Sequence, residues 1–105
     1  MPVQPSIPSP PPNDVQTVGQ ITQRIKMTLE TGFLRVWVQG ELSNVKRHTS
    51  GHLYFTIKDE QAALSGVMWR SRVSSVLIPL EDGMKVVVRG SITVYPPRGA
   101  YQIDA

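Results

Sequence analysis

Cysteine is absent from this chain of 105 residues, so neither a disulfide framework nor a thiolate metal centre can form. That absence fits a reducing compartment. Long apolar runs are missing too: nothing approaches the roughly 18 consecutive apolar residues that a membrane helix needs, so no membrane partner is expected. The N-terminus has no basic stretch leading into an apolar core, so no secretory leader is read and a cytoplasmic location is expected. No G-x-x-x-x-G-K-[ST] phosphate loop occurs, and no nucleophile elbow presents a serine. The acid pairs Asp59-Glu60 and Glu81-Asp82 are neighbours in sequence, so on extended backbone their carboxylates diverge and cannot share a substrate. No catalytic residue is assigned, no cofactor is expected within this chain, and by itself it is not expected to be an enzyme.

The length is enough for one small domain. Hydrophobic residues make up 40% of it, which permits an ordinary core. A domain of this size buries only about 60–70% of its unfolded surface, so its stability margin is narrow. The formal net charge of +3 mildly favours an anionic partner. Placement says more than the total. From Arg35 to Lys58 stand four Lys or Arg residues against the single acid Glu41. A positive stretch of this kind is either a ligand-facing surface or simply a solvated face.

Residues Pro2 to Pro12, "PVQPSIPSPPP", contain six prolines in eleven positions. Proline lacks the N–H and fixes φ, so residues 1–15 are expected to be a disordered or polyproline-II-like tail, inert or a docking peptide. Next, "TVGQITQRIKMTLETGF" carries Thr17 and Gln20 at capping-box spacing, and Val18, Ile21, Ile25 and Leu29 at helical spacing. The pattern predicts a short amphipathic helix over Thr17–Thr31 whose stripe packs on something, with Gly32 in the left-handed position that ends it.

From Leu34 the period becomes two. Leu34, Val36, Val38, Gly40 and Leu42 point one way, and Arg35, Trp37, Gln39 and Glu41 the other. Leu53, Phe55 and Ile57 alternate with His52, Tyr54, Thr56 and Lys58. "KDEQA" is a turn. Ala63–Trp69 is a third strand whose facing the pattern leaves open. "RSRVSSVLIPLEDG" reads as a short helical turn or crossover ending at Pro79. "MKVVVRGSITVY" is a long fourth strand with Gly90 at a bulge or barrel bend, and after the turn "PPRG" a fifth strand begins in "AYQIDA". The expected fold is all-β with a short N-terminal helix, a five-stranded Greek-key barrel of the OB type over residues 16–105; an SH3-like barrel is the rival. A domain that stops one strand after its last turn is expected to be a piece of a longer chain.

The cluster in "GELSNVKRHTSGHLYFTIKDE" admits several chemistries. His48 and His52 have the H-x₃-H spacing of zinc ligands, but Ser50-Gly51 interrupts any helix and no Cys or placed carboxylate completes a shell. They can equally finish a solvated hairpin end. A nucleic-acid surface uses more of the residues. In an OB barrel the ligand crosses the second and third strands between the loop joining strands one and two, here "SNVKRHTSGH", and the loop joining strands four and five, here "YPPRG". Unpaired bases stack on rings while Lys and Arg follow phosphates. On this reading Lys46, Arg47, His48, His52 and Arg98 contact the backbone, Trp37 and Tyr54 stack on bases, and Arg35 and Lys58 add charge. No basic helix is available to read a duplex groove. The competing reading packs Trp37 and Tyr54 beneath the N-terminal helix. DNA and RNA are not separated by these residues.

The stretch "VWVQGELSNVKRHTSGHLYFTIKDEQAALSGVMWR", with G-E-L-S-N followed by S-G-H-x-Y-F-x-I-K-D, closely resembles the start of the large subunit of the bacterial exodeoxyribonuclease VII family. "TVGQITQRIKMTLE" resembles that family's leading helix and "VVVRGSITVYPPRGAYQI" its last two barrel strands, so the likeness runs from about Thr17 to Ile103. It departs at Pro96, where an acidic residue is commoner. The resemblance implies a single-strand-specific exonuclease that cuts DNA to oligonucleotides, built from one large and several small subunits. It implies that this barrel binds the DNA, that the nuclease centre lies beyond Ala105, and that the small subunits attach to that later part. It leaves open whether the parent enzyme needs a metal. The alternative function is a protein-interaction barrel that joins subunits or domains.

Overall fold

The computed structural model describes Val15–Ala105. The expected proline-rich tail lies outside the described residues, apart from Val15. The elements are α1 (Val18–Gly32), β1 (Val36–Arg47), β2 (Leu53–Lys58), β3 (Ala63–Met68), a one-turn helix α2 (Arg70–Val73), β4 (Lys85–Tyr95), a 3₁₀ turn at Pro96–Arg98, and β5 (Ala100–Asp104). The strands close into a barrel in the order β1-β2-β3-β5-β4. β5 lies parallel to β3 and antiparallel to β4. That crossover is Greek-key wiring rather than a meander, and it decides for the OB-type barrel over the SH3-like one.

The period-two pattern sets the core. Leu42, Phe55, Ile57 and Ile103 meet inside, with Val36, Val38, Leu64 and Met68 packed around them. The inward residues of β3, unsettled by pattern, are Leu64, Gly66 and Met68: Gly66 pairs with Phe55 in register, and a Cβ there would sit 2.3 Å from the Phe55 ring. Gly90 is the barrel corner. β1 pairs with β4 up to Gly90, and β5 takes over from Ser91; a Cβ on Gly90 would meet the Asp104 carbonyl oxygen at 2.3 Å. Only glycine lets β5 approach that closely.

β1 serves two neighbours because it bends. Its register on β2 slips by one residue between Ser43 and Lys46, a β-bulge with Asn44 at φ 51. The Val45 N–H, displaced from the ladder there, donates to the Asp82 carboxylate at 2.8 Å. Leu42 donates to the Met84 carbonyl and accepts from Gly83 N–H, each at 2.8 Å, tying the same bend to the turn before β4.

Helix α1 begins as its sequence predicts. Thr17 Oγ1 accepts from Gln20 N–H and Gln20 Oε1 from Thr17 N–H, the reciprocal capping box. Its other end corrects the expectation at Gly32. Gly32 is the last helical residue and is absent from the positive-φ glycines; Phe33 closes the helix at φ −130, donating its N–H to the Leu29 carbonyl. The stripe is also corrected: no residue of α1 is buried, and Val18 is 81% exposed. Only Leu29 of the stripe, half-buried, lines an apolar cavity with Val36, Val38, Leu64 and Ile92, and a polar side docks beside it. Glu30 Oε2 accepts from Val94 N–H of β4 at 3.1 Å and from Lys26 Nζ at 2.6 Å. Those bonds turn the Lys26–Glu30 side toward the barrel and leave Val18, Ile21 and Ile25 outward.

Candidate nucleic-acid interface

The loop joining β1 to β2 is held from within. His48 N–H donates to the His52 carbonyl and Gly51 N–H to the His48 carbonyl, both at 2.9 Å. His48 Nδ1 accepts from Ser50 N–H at 3.2 Å and lies 2.9 Å from Ser50 Oγ. His52 Nδ1 accepts the Arg70 N–H at 2.9 Å, which fastens the loop to the start of α2. A ring nitrogen that accepts a backbone N–H carries no proton itself, so His52 holds its proton on Nε2 in this arrangement. Both imidazoles thus spend Nδ1 on the loop. Among the described residues no group of three or more His, Asp or Glu side chains is placed to hold a metal ion.

Around this loop the structure gathers rings and cations. Lys46 stands opposite Tyr54 across β1 and β2, so the two side chains share a face of the sheet. The His48 ring meets the Tyr54 ring edge-on with centroids 6.3 Å apart, and the His52 ring meets the Trp69 indole edge-on at 4.9 Å. Tyr54 is 42% exposed and Trp69 39%. Lys46, Arg47, His48 and Arg70 are exposed and His52 is half-buried. The five expected residues Lys46, Arg47, His48, His52 and Tyr54 therefore come together at one end of the barrel. Trp69 and Arg70 join them, which sequence reasoning missed because the facing of the third strand was open.

The remaining candidates lie elsewhere. Trp37, 69% exposed, opens β1 and faces Arg89 of β4 rather than β2. Neither Trp37 nor Tyr54 is covered by α1, which corrects the reading that packed them beneath the helix. Nine residue steps of β1, bent at the Asn44 bulge, separate Trp37 from Lys46, at most about 30 Å. Arg35 is exposed just before β1. Lys58 ends β2 opposite Glu41, at the end of the strand away from the loop cluster, with the Leu42–Ile57 and Ser43–Thr56 pairs between. Arg98 sits in the 3₁₀ turn between β4 and β5, at the end of β5 remote from the Asp104 that pairs with Val67 beside Tyr54. Arg89 was also missed; the alternation Lys85, Val87, Arg89 on β4 would have set it on the outward face.

Two carboxylates have depressed pKa values, both through hydrogen bonds that favour the charged form. Asp59 Oδ1 accepts the Gln61 and Ala62 N–H groups at 2.8 and 2.9 Å in the turn after β2, and these hold its carboxyl below the usual range. Glu30 is lowered first by its bond from Lys26 and then by the Val94 N–H. Neither acid belongs to the ring-and-cation cluster; both brace the frame around it.

With a closed five-stranded barrel and an exposed basic, aromatic loop end described, the likeness to known proteins is decisive. The family described as "OB-fold nucleic acid binding domain" matches residues 16–105. The chain belongs to that family. This OB-fold domain is 45% identical over 91 residues to the "Exodeoxyribonuclease 7 large subunit" of Rhodopirellula baltica, an alignment spanning 87% of this chain and 21% of the relative. It is 49% identical over 92 residues to the protein of the same name from a Nitratiruptor species, spanning 88% and 22%. The chain therefore spans about a fifth of the length of these curated relatives. Among solved structures, the asparaginyl-tRNA synthetase of Pyrococcus horikoshii superposes with a TM-score of 0.55 over 78% of this chain and 20% of that one, at 15% identity, a likeness of fold alone. Among the described residues no helix is long and apolar enough to cross a membrane.

Proposed function

We propose that this OB-fold domain binds single-stranded DNA with little sequence preference and delivers it to a nuclease centre elsewhere in an exodeoxyribonuclease VII large subunit. The whole enzyme, on this reading, degrades single-stranded DNA exonucleolytically to oligonucleotides in the cytoplasm, with small subunits bound to another part of the chain. One observation carries the proposal: an exposed Tyr54 ring flanked by Lys46 across the ladder and met edge-on by the His48 ring of the adjoining loop. A ring for the base beside cations for the phosphate is what an unpaired strand requires, and stacking contributes about 1–3 kcal/mol per base.

Lys46, Arg47, His48 and His52 take the backbone, Tyr54 stacks on a base, and Arg35, Lys58 and Arg98 extend the positive track toward the other rims. Titration of labelled oligo(dT) at low salt, repeated with a duplex, tests this directly. Single-strand binding that falls steeply with salt, with weak duplex binding, supports it; binding of neither contradicts it. Parallel DNA and RNA titrations separate the two polymers, because a stacking platform accepts either.

A second reading, a barrel that docks subunits or domains, is favoured by the outward stripe Val18, Ile21 and Ile25 of α1. Self-association on a sizing column together with no oligonucleotide binding selects it.

A further inference from the structure

Trp37 and Arg89 form a built pair away from the loop cluster. They face each other in register across β1 and β4, and the Arg89 Cζ lies 5.6 Å from the indole centroid, within cation–π range. Arg89 lies over the indole ring, and a guanidinium offers a planar fork of donors suited to phosphate oxygens. The indole is 69% exposed. Further positive charge stands close. Arg35 lies two residues before Trp37, and Arg72 lines the same concavity as Arg89, between the α2 connector and β4. An exposed indole with an oriented guanidinium can take one base and its neighbouring phosphate together.

We propose that Trp37 and Arg89 are a second nucleotide station, on the β1–β4 seam, occupied only when a single strand is long enough to leave the Lys46–Tyr54 cluster and run along β1. This rests on the single-strand reading above and extends it. A path of at most about 30 Å between stations takes up to about nine nucleotides at a stacked rise of about 3.4 Å each, within the roughly 4–16 nucleotides an OB barrel covers. The domain then prefers longer strands without preferring any sequence.

The test compares oligo(dT) of about four and about sixteen nucleotides, the limits of that range, on the wild type and on Arg89→Ala, Arg89→Lys and Trp37→Phe, with thermal melts to show that each variant is folded. Expected are a loss of about fivefold or more in long-strand affinity for Arg89→Ala, unchanged short-strand affinity, and a salt slope lower by about 0.7. Arg89→Lys keeps the slope while losing part of the affinity, and Trp37→Phe keeps both within a fewfold, because a ring remains. Tyr54→Ala, by contrast, weakens both lengths. Long-strand affinity unchanged in Arg89→Ala, or short and long affected equally, overturns the second station while leaving the first reading intact. A wild type that binds neither length overturns both.

Discussion

Strand β2 and helix α1 both carry an apolar residue at every turn of their own period, yet they end in opposite surroundings. Leu53, Phe55 and Ile57 of β2 are 1%, 5% and 2% exposed, whereas Val18, Ile21 and Ile25 of α1 are 81%, 40% and 47% exposed. The strand is locked by ladders on both edges, so its inward face has nowhere to go but the barrel interior. The helix has no ladder. It is held by the Glu30 bond to the Val94 N–H and by half-buried Leu29 beside Val36, Val38 and Ile92, which together set the side that faces the barrel. Apolar periodicity therefore names the element and its potential face, while the groups the barrel offers, here the Val94 N–H and the cavity beside Leu29, decide how much of that face is covered.

The sharpest break of this comparison is a pair of truncations. Phe55→Ala should destabilise the domain by about 3–5 kcal/mol, since it removes a buried ring and leaves a cavity. Ile25→Ala should change stability by no more than about 0.5 kcal/mol, as an exposed substitution does. Urea unfolding of both variants checks this, and equal losses would show that the helix stripe is buried after all. Next in size is Tyr54→Ala, expected to cost about 1–3 kcal/mol of oligonucleotide binding with no change in salt slope. Lys46→Ala with Arg47→Ala should act the other way round, lowering the salt slope by about 1.4 in all, roughly 0.7 for each phosphate no longer neutralised. Fluorescence titrations across a salt series separate the two, and identical slopes for the wild type and the double variant would remove Lys46 and Arg47 from the interface.

The smallest effect tests how the helix is tied down. Glu30 has a folded pKa below its ordinary 4.5, so its contribution to stability is fully present above that value and is lost as pH falls through the lower folded one. Protection of the α1 amides, measured against their intrinsic exchange rates, should therefore fall in acid while the barrel strands stay protected. Glu30→Gln should remove this acid step. Asp59 is also depressed, from an ordinary value of 3.8, so its turn loosens in acid too, and a variant at Glu30 alone leaves that part unchanged.

Much of this molecule was legible in its residues. Five strands, the inward faces of β1 and β2, the capping box at Thr17 and the corner at Gly90 follow from period, turn chemistry and the close approach that glycine allows. The loop cluster from Lys46 to Tyr54 was legible too, because charge and ring types sit next to each other in sequence. What escaped were pairings across the barrel. Arg89 reaches Trp37 only through the β1–β4 register, and Trp69 reaches His52 at the end of the β2–β3 pairing, where Arg70 N–H also bonds the His52 ring. Long-range register and a single side-chain hydrogen bond leave no periodic trace. The end of α1 was misread for a similar reason, since Phe33 at φ −130 closes the helix without needing a left-handed glycine.

The claim that everything else hangs on is that the loop end of the barrel grips an unpaired strand. Chemical-shift mapping of the labelled domain during titration with a short oligo(dT) tests it most directly. The account predicts saturable shifts at Lys46 to Tyr54, spreading to Trp69 and Arg70. Shifts confined to the Val18–Ile25 face of α1, or none that saturate, would contradict it.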